Sequence, residues 1–440
     1  MARDRLLGEP LGTWGADRRF AICRSPSALG PAFSKIWQRP TSRHQSHGIV
    51  YLARSMRVTR KFLYPALAIL ALTLEKGSQV CAQETAVTVS PLRFRFDATQ
   101  GCVDETGLQG YNPSFRGQCG DLSGANLQGA DLHKSNLAGA RLTAADLSRA
   151  NLRGSDLRRA DLSQSILDTT DLQEADLSGA ELKGSRLLGA VLTKANLTGA
   201  NFERADIRKS ELRNAILHHT CFRGTRFFRV NFENMDLTCL DLTGAEFAWS
   251  NLSQAKLTRT NLAGGFHDRT NFSGAHLDEV DLKGSKIPYG NFSGATLRGA
   301  QLQKVELLDS KLVRALLAGA DLSESSLINA DLSGTQLENA RLRGANLMNA
   351  KFRGANLRTA DLSGAILFGT DFEKADLRGA NLDGAELGEK GKTILLPQAE
   401  TSFGPTKLTG AKFDEKTVLP FDRSQTAVRG MVQISEKVKN

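Results

Sequence analysis

Residues 121–132 read DLSGANLQGADL. The unit is five residues long: a leucine, two polar or small residues, a small residue, then Asp or Asn before the next leucine. With that leucine called the hub, hubs recur every five residues from Leu122 to Leu387 without a slip, 54 in all. The hub is Leu, Phe or Ile in 53 units, and His267 is the exception. Two residues before the hub stands Ala, Ser, Gly or Thr in 49 units; Val230, Met235, Leu240, Val280 and Val305 are the departures.

A period of five fits neither a helix, with 3.6 residues per turn, nor a strand, with two. It requires a backbone that turns each hub inward. A small residue recurring two places earlier marks a site where backbone comes close and a larger side chain would clash. With this register the chain resembles the pentapeptide repeat family, whose motif A(D/N)LXX it follows over about 270 residues. The resemblance implies an all-β fold, a right-handed quadrilateral parallel β-helix in which four pentapeptides make the four faces of one coil. Of the nine hub phenylalanines, Phe232, Phe272, Phe292, Phe352 and Phe372 fall in one 20-residue column, which agrees with four units per coil. Fifty-four units then make 13 to 14 coils, a rod of roughly 65 Å at the spacing of adjacent strands.

The flanks read differently. Residues 56–82 carry a basic opening (Arg57, Arg60, Lys61), an apolar run from Phe62 to Leu74 and small residues around Val80-Cys81-Ala82. That is the layout of a signal peptide cleaved after Ala82, and its apolar run is short for a membrane span. A buried helix or membrane anchor is the alternative. A signal peptide belongs at the start of a chain, so residues 1–55, rich in Arg, Pro, Ser and Gly, are expected to be a non-native or disordered extension preceding a true start at Met56. Export predicts a periplasmic or extracellular protein, not integral to the membrane once cleaved.

The net charge of +10 is a property of the ends. Residues 1–82 hold 13 Lys/Arg against 4 Asp/Glu, whereas residues 121–390 hold 33 against 34. The rod therefore has neither a broad cationic footprint for nucleic acid nor a strongly acidic surface imitating it. Some members of the family resemble B-form DNA in shape and charge and protect or inhibit DNA gyrase. That reading needs a cytoplasmic, acidic rod, and this chain departs on both counts. The expected partner is a protein or an envelope component, not nucleic acid.

Residues 83–119 form the segment ahead of the repeat, where Cys102 and Cys119 bracket a Gly/Asn/Pro-rich loop. A disulfide between them would pin the first coil, stabilising it by roughly 3 kcal/mol in the chain-entropy model; two free thiols are the alternative. The repeat proper spans 120–389, an inserted loop 390–402, and a closing coil 403–421 with Phe403, Leu408, Phe413 and Val418 as hubs. The tail, 422–440, has Val428, Met431, Val432 and Val438 at helix-like spacing, expected as a short capping or dimer helix or as disorder.

Three irregularities stand out. One residue after the hub, a single face reads Pro288, Leu308, Ile328, Met348 and Phe368 on five successive coils, an apolar stripe on the outside of the rod. Such a stripe marks a contact, either with a partner or second copy, or with Ile394, Leu395 and Leu396 folding back. Around residues 218–250, large residues fill three consecutive small-residue slots beside hubs Phe222, Phe227 and Phe232, so the coil should widen. Cys221 and Cys239 lie there at a borderline separation for a disulfide, near His218 and His219 at no recognised metal-site spacing. At 264–270, GGFHDRT places His267 at a hub, either as a neutral ring inside the ladder or with a slip that turns Phe266 inward. No Ser-His-Asp set, metal dyad or phosphate-cradling loop is present. The expectation is a non-catalytic scaffold with no cofactor and no metal.

Overall fold

The computed structural model describes residues 95–97, 101–103, 121–388, 393–396, 399–402 and 404–434. The signal-peptide and extension readings fall outside them. So does the Cys102–Cys119 pairing: Cys102 sits in strand β2 (Gly101–Val103), antiparallel to β1 (Arg95–Asp97) and opposite Phe96, and only its backbone is described.

From Asp121 onward each unit follows one local rule. The residue three places after the hub donates its N–H to the hub carbonyl, as Ala125 does to Leu122 at 3.1 Å, and closes a tight turn. The residue two places after the hub takes φ near +60°, a region that costs glycine nothing and other residues something; Lys134 adopts it at 54° and Trp249 at 61°. The Asp or Asn before the hub caps this turn, its Oδ1 accepting the N–H of the residue after the hub, as Asp121 does from Ser123 at 3.1 Å and Asn271 from Ser273 at 3.1 Å. The motif's acidic or amide letter is thus an Asx turn, which explains why Asp and Asn alternate there freely.

Coils stack by parallel bridges between residues twenty apart, Asp121 with Arg141, Asn126 with Asp146, and so on to Ile366 with Glu386. The hub N–H points to the coil ahead, as Leu127 N–H does to the Asp146 carbonyl at 2.7 Å, and the preceding residue's N–H points to the coil behind. Hubs fill the interior: Leu142, Phe202 and Ile207 are wholly buried, and Phe272 stacks on Phe292 with ring centroids 4.8 Å apart, the strand spacing itself.

The crowded stretch opens the ladder. Bridges run at Asp206–Arg226 and Cys221–Asp241, but among the described residues none forms at 211/231 or 216/236. Met235 and Leu240 occupy slots where alanine lets the backbones close, so the coils part on two faces and Ile216 is left exposed. Cys221 and Cys239 flank this opening, and both are disulfide-bonded.

At the C-terminal end the register survives an excursion. Asp371 bridges Lys407 and Asp376 bridges Lys412, thirty-six residues apart instead of twenty. The extra length leaves after Gly388 and includes a hairpin, β3 (Thr393–Leu396) against β4 (Ala399–Ser402). Leu408 and Phe413 take buried hub places, but Val418 is exposed. It bridges Asn381, so Leu419 packs against the core in its stead, because the Asp414–Thr417 turn holds one residue more than the pentapeptide. The tail is no helix through its described part: after a 3-10 turn at Arg423–Gln425, Met431 is buried and β6 (Val432–Gln433) pairs in parallel with β5 (Lys412–Phe413), again twenty residues apart. Continuing the ladder satisfies the open backbone edge, which a capping helix would leave unpaired.

Candidate interaction face

Hubs Phe227, Phe247, His267, Ile287 and Leu307 form one column, and the residues flanking them make up one outer face of the rod. Within the repeat, the exposed large apolar or aromatic residues are Ile216, Trp249, Phe266, Tyr289 and Leu308, and all but Ile216 belong to this face.

Two residues after the hub, the column reads Arg229, Trp249, Arg269, Tyr289 and Asp309 on successive coils. The Arg269 guanidinium lies 4.9 Å from the Trp249 ring centroid and 4.5 Å from that of Tyr289. Arg229 lies 5.2 Å from Phe228 and 5.9 Å from Trp249. The result is an alternating ladder of cations and rings along the rod, each step supplying about 0.5–1 kcal/mol at such exposure. Trp249 and Tyr289 are 49% and 47% exposed and sit at positive φ, where glycine would carry no strain. Their presence is therefore not explained by the turn.

The ladder's remaining charges are arranged in pairs. Arg269 meets Asp268 at 2.8 Å, Arg226 meets Glu246 at 3.5 Å, and Lys286 meets Glu306 at 3.0 Å. Among the described residues, Arg229 has no carboxylate partner and Asp309 no cationic one.

The apolar stripe read from the sequence lies on this same face and divides in two. Leu308 is 37% exposed, and Pro288 and Ile328 are half-buried. Met348 and Phe368 are 2% and 4% exposed and pack together with Ile328 and Ile366. At the covered end the chain's own exit and return close in: a Cβ on Gly388 would stand 2.9 Å from the Phe368 ring and 2.9 Å from the Gly404 carbonyl oxygen. The side chains of Ile394, Leu395 and Leu396 lie outside the described residues. The stripe occupies only the position after the hub. Trp249, Arg269 and Tyr289 stand one place further on and Phe266 one place before the hub, so a reading of that single position misses them. Sorting every outward position by face would have found them.

His267 keeps its hub place while Phe266 stays outside. The imidazole is wholly buried between Phe247 and Phe272, and neither ring nitrogen makes a hydrogen bond of good geometry. Burial pulls its pKa from 6.5 down to about 4, outweighing the Leu262 carbonyl, which favours the charged form. Gly265 makes the room: a Cβ there would fall 2.4 Å from His267 Cε1 and 2.6 Å from the Ala245 carbonyl oxygen. A neutral ring sealed from water has no access to a substrate. Among the described residues no group of three or more His, Cys, Asp or Glu is placed to hold a metal ion, and no helix is long and apolar enough to cross a membrane.

The family profile described as pentapeptide repeats matches this chain in successive segments that together run from residue 121 to 384. Among solved structures, HetL, a pentapeptide repeat protein involved in heterocyst differentiation regulation from the cyanobacterium Nostoc sp. strain PCC 7120, is 29% identical. The match covers 61% of this chain and 91% of that one, with a TM-score of 0.25. Rfr23 from the cyanobacterium Cyanothece 51142 is 36% identical over 24% of this chain and 85% of its own, TM-score 0.24. QnrB1, a plasmid-mediated fluoroquinolone resistance protein, is 16% identical over 58% of this chain and 94% of its own, TM-score 0.24. No curated protein matches the chain.

Proposed function

Because the chain belongs to the pentapeptide repeat family, whose members are generally scaffolds and not enzymes, we propose that it is an exported, non-catalytic rod that binds protein through the face bearing Trp249, Phe266, Tyr289 and Leu308. The observation that carries this reading is the segregation of exposed aromatic and apolar residues onto one face of four. Trp, Tyr and Arg are the residue types that anchor protein interfaces. Arg269 already lies against one side of both the Trp249 and the Tyr289 ring, which leaves less ring surface for a sugar polymer to stack on. Export is supported by the layout of residues 56–82 and by the disulfide-bonded state of Cys221 and Cys239, which suits an oxidising compartment.

Cell fractionation with N-terminal sequencing tests export: the expected product begins at Gln83 outside the cytoplasm. Recovery of the chain only in the cytoplasm, with residues 56–82 attached, refutes it. A photo-crosslinking residue in place of Trp249 should capture protein in the cell, and one in place of Ser253, on the next face, should not. Equal capture from both positions would defeat the assignment of the face.

A further inference from the structure

The charges and rings of this face are arranged as a palindrome about the coil of Phe266. In the column before the hub the order is Arg226, Glu246, Phe266, Lys286, Glu306, with residues on successive coils bridged twenty apart. Reversed, each cation falls on an acid: Arg226 on Glu306 and Glu246 on Lys286, with Phe266 on itself. Two residues after the hub the order is Arg229, Trp249, Arg269, Tyr289, Asp309. Reversed, Arg229 falls on Asp309 and Trp249 on Tyr289, while Arg269, neutralised by Asp268 at 2.8 Å and flanked by both rings, falls on itself. The two charges left without an opposite partner within the face, Arg229 and Asp309, are the two that this operation brings together.

A two-fold axis lying across the face at Phe266 performs this operation. It sets the rods antiparallel, and each column then meets the same column of the other copy in reverse order. Self-complementarity of this kind is what an isologous contact requires. From this arrangement we propose that the aromatic face docks a second copy of this chain, antiparallel and centred on Phe266. The proposal rests on reading the face as a protein-binding surface and names its partner.

The size of the contact sets its strength. Five coils, from Arg226 to Asp309, span roughly 19 Å at the spacing of adjacent strands. The same face further along is already closed at Met348 and Phe368. So short a patch falls below the roughly 800 Å² per partner of a standard stable interface. The pair should therefore be reversible, with a Kd of roughly micromolar order.

Sedimentation equilibrium on the full chain as recovered from cells, up to about 100 µM, well above a micromolar Kd, tests this with charge swaps at two surface positions. The wild type should dimerise with concentration. R229D places acid against Asp309 of the other copy, and D309R places Arg against Arg229, so each alone should weaken dimerisation at least tenfold. An equimolar mixture of R229D and D309R restores both pairs and should form the heterodimer; the double variant R229D/D309R should dimerise with itself. Unchanged circular dichroism and melting of the single variants guard against a folding defect. A monomeric wild type, a dimer indifferent to either single swap, or a mixture that stays monomeric would overturn the proposal. Crosslinks from position 249 to a different protein, together with a monomeric wild type, would sink the self-pairing and leave the protein-binding reading standing. A dimer from a chain confined to the cytoplasm would do the reverse for export.

Discussion

His267 should make this rod sensitive to mild acid. Its folded pKa is lowered from 6.5 to about 4 by burial. Between those values the unfolded chain takes up a proton that the folded chain refuses. Stability therefore falls as pH drops from about 6.5 to about 4, with a slope approaching 1.4 kcal/mol per unit, and levels off below. The integrated loss is about 3 kcal/mol. At neutral pH the ring carries a second cost, since its two buried nitrogens make no well-formed hydrogen bond to replace those they make in water. Replacing it by the residue that other hubs carry, His267→Leu, should raise stability by about 1–3 kcal/mol at pH 7. It should also remove most of the slope between pH 4 and 6.5. Trp249, on the coil before His267 and the only tryptophan after residue 82, reports the local transition by fluorescence. Urea titrations of both proteins at half-unit pH steps make the comparison. Parallel pH profiles for wild type and variant would refute the assignment of a buried neutral imidazole.

The ladder sets the remaining outcomes. Leu282→Ala should cost about 2–5 kcal/mol, because it leaves a cavity in a regular dry interior; a urea melt reads the loss. Met235→Ala should cost less than about 1 kcal/mol, below the usual core truncation, and slow amide exchange around residues 212–217, since it lets the parted coils close; faster exchange there would contradict the crowding argument. Reduction of the disulfide-bonded Cys221 and Cys239 should speed exchange in this same stretch and leave coils beyond residue 300 unchanged, which mass-resolved exchange reads directly. Asp371, 6% exposed, resists the burial that would raise its pKa. Hydrogen bonds from the Glu373 N–H and from Arg353 at 2.7 Å hold it below the usual range. Its contribution is present above the unfolded pKa and is lost as pH falls through the folded one, so Asp371→Asn should flatten the acid limb below pH ~4 in urea melts.

The coil is legible in the sequence because one period governs 54 units. The hubs, the small slots, the twenty-residue stack and the crowding near Met235 all follow from volume and spacing. What escaped was hydrogen bonding and insertion geometry. The Asp or Asn before each hub registers in a hydropathy pattern only as polar, yet its oxygen caps a turn. Counting in fives points to Val418 as a hub, and one extra residue in the Asp414–Thr417 turn puts Leu419 in its place. The tail's apolar spacing suited a helix, but Gly430 at φ 69° and an open ladder edge favoured a strand. The aromatic face was half visible: the stripe was found, and the cation–ring ladder beside it was hidden because single Arg, Trp and Tyr residues at a turn carry no periodic signal.

The small-slot irregularities also bear on how the chain finds its own alignment. A solenoid built from one repeated unit can, in principle, stack with any coil opposite any other, since every shift by twenty residues still puts a leucine inside and an alanine at the close approach. Such degeneracy invites kinetic traps and exchange between molecules. His267 has room only because Gly265 carries no side chain, and the one place among the described residues where the coils part, at 211/231 and 216/236, lies beside the bulky run Val230, Met235 and Leu240. These residues act as index marks in an otherwise uniform tape. They cost local stability and make one threading of the coil distinguishable from its near-copies.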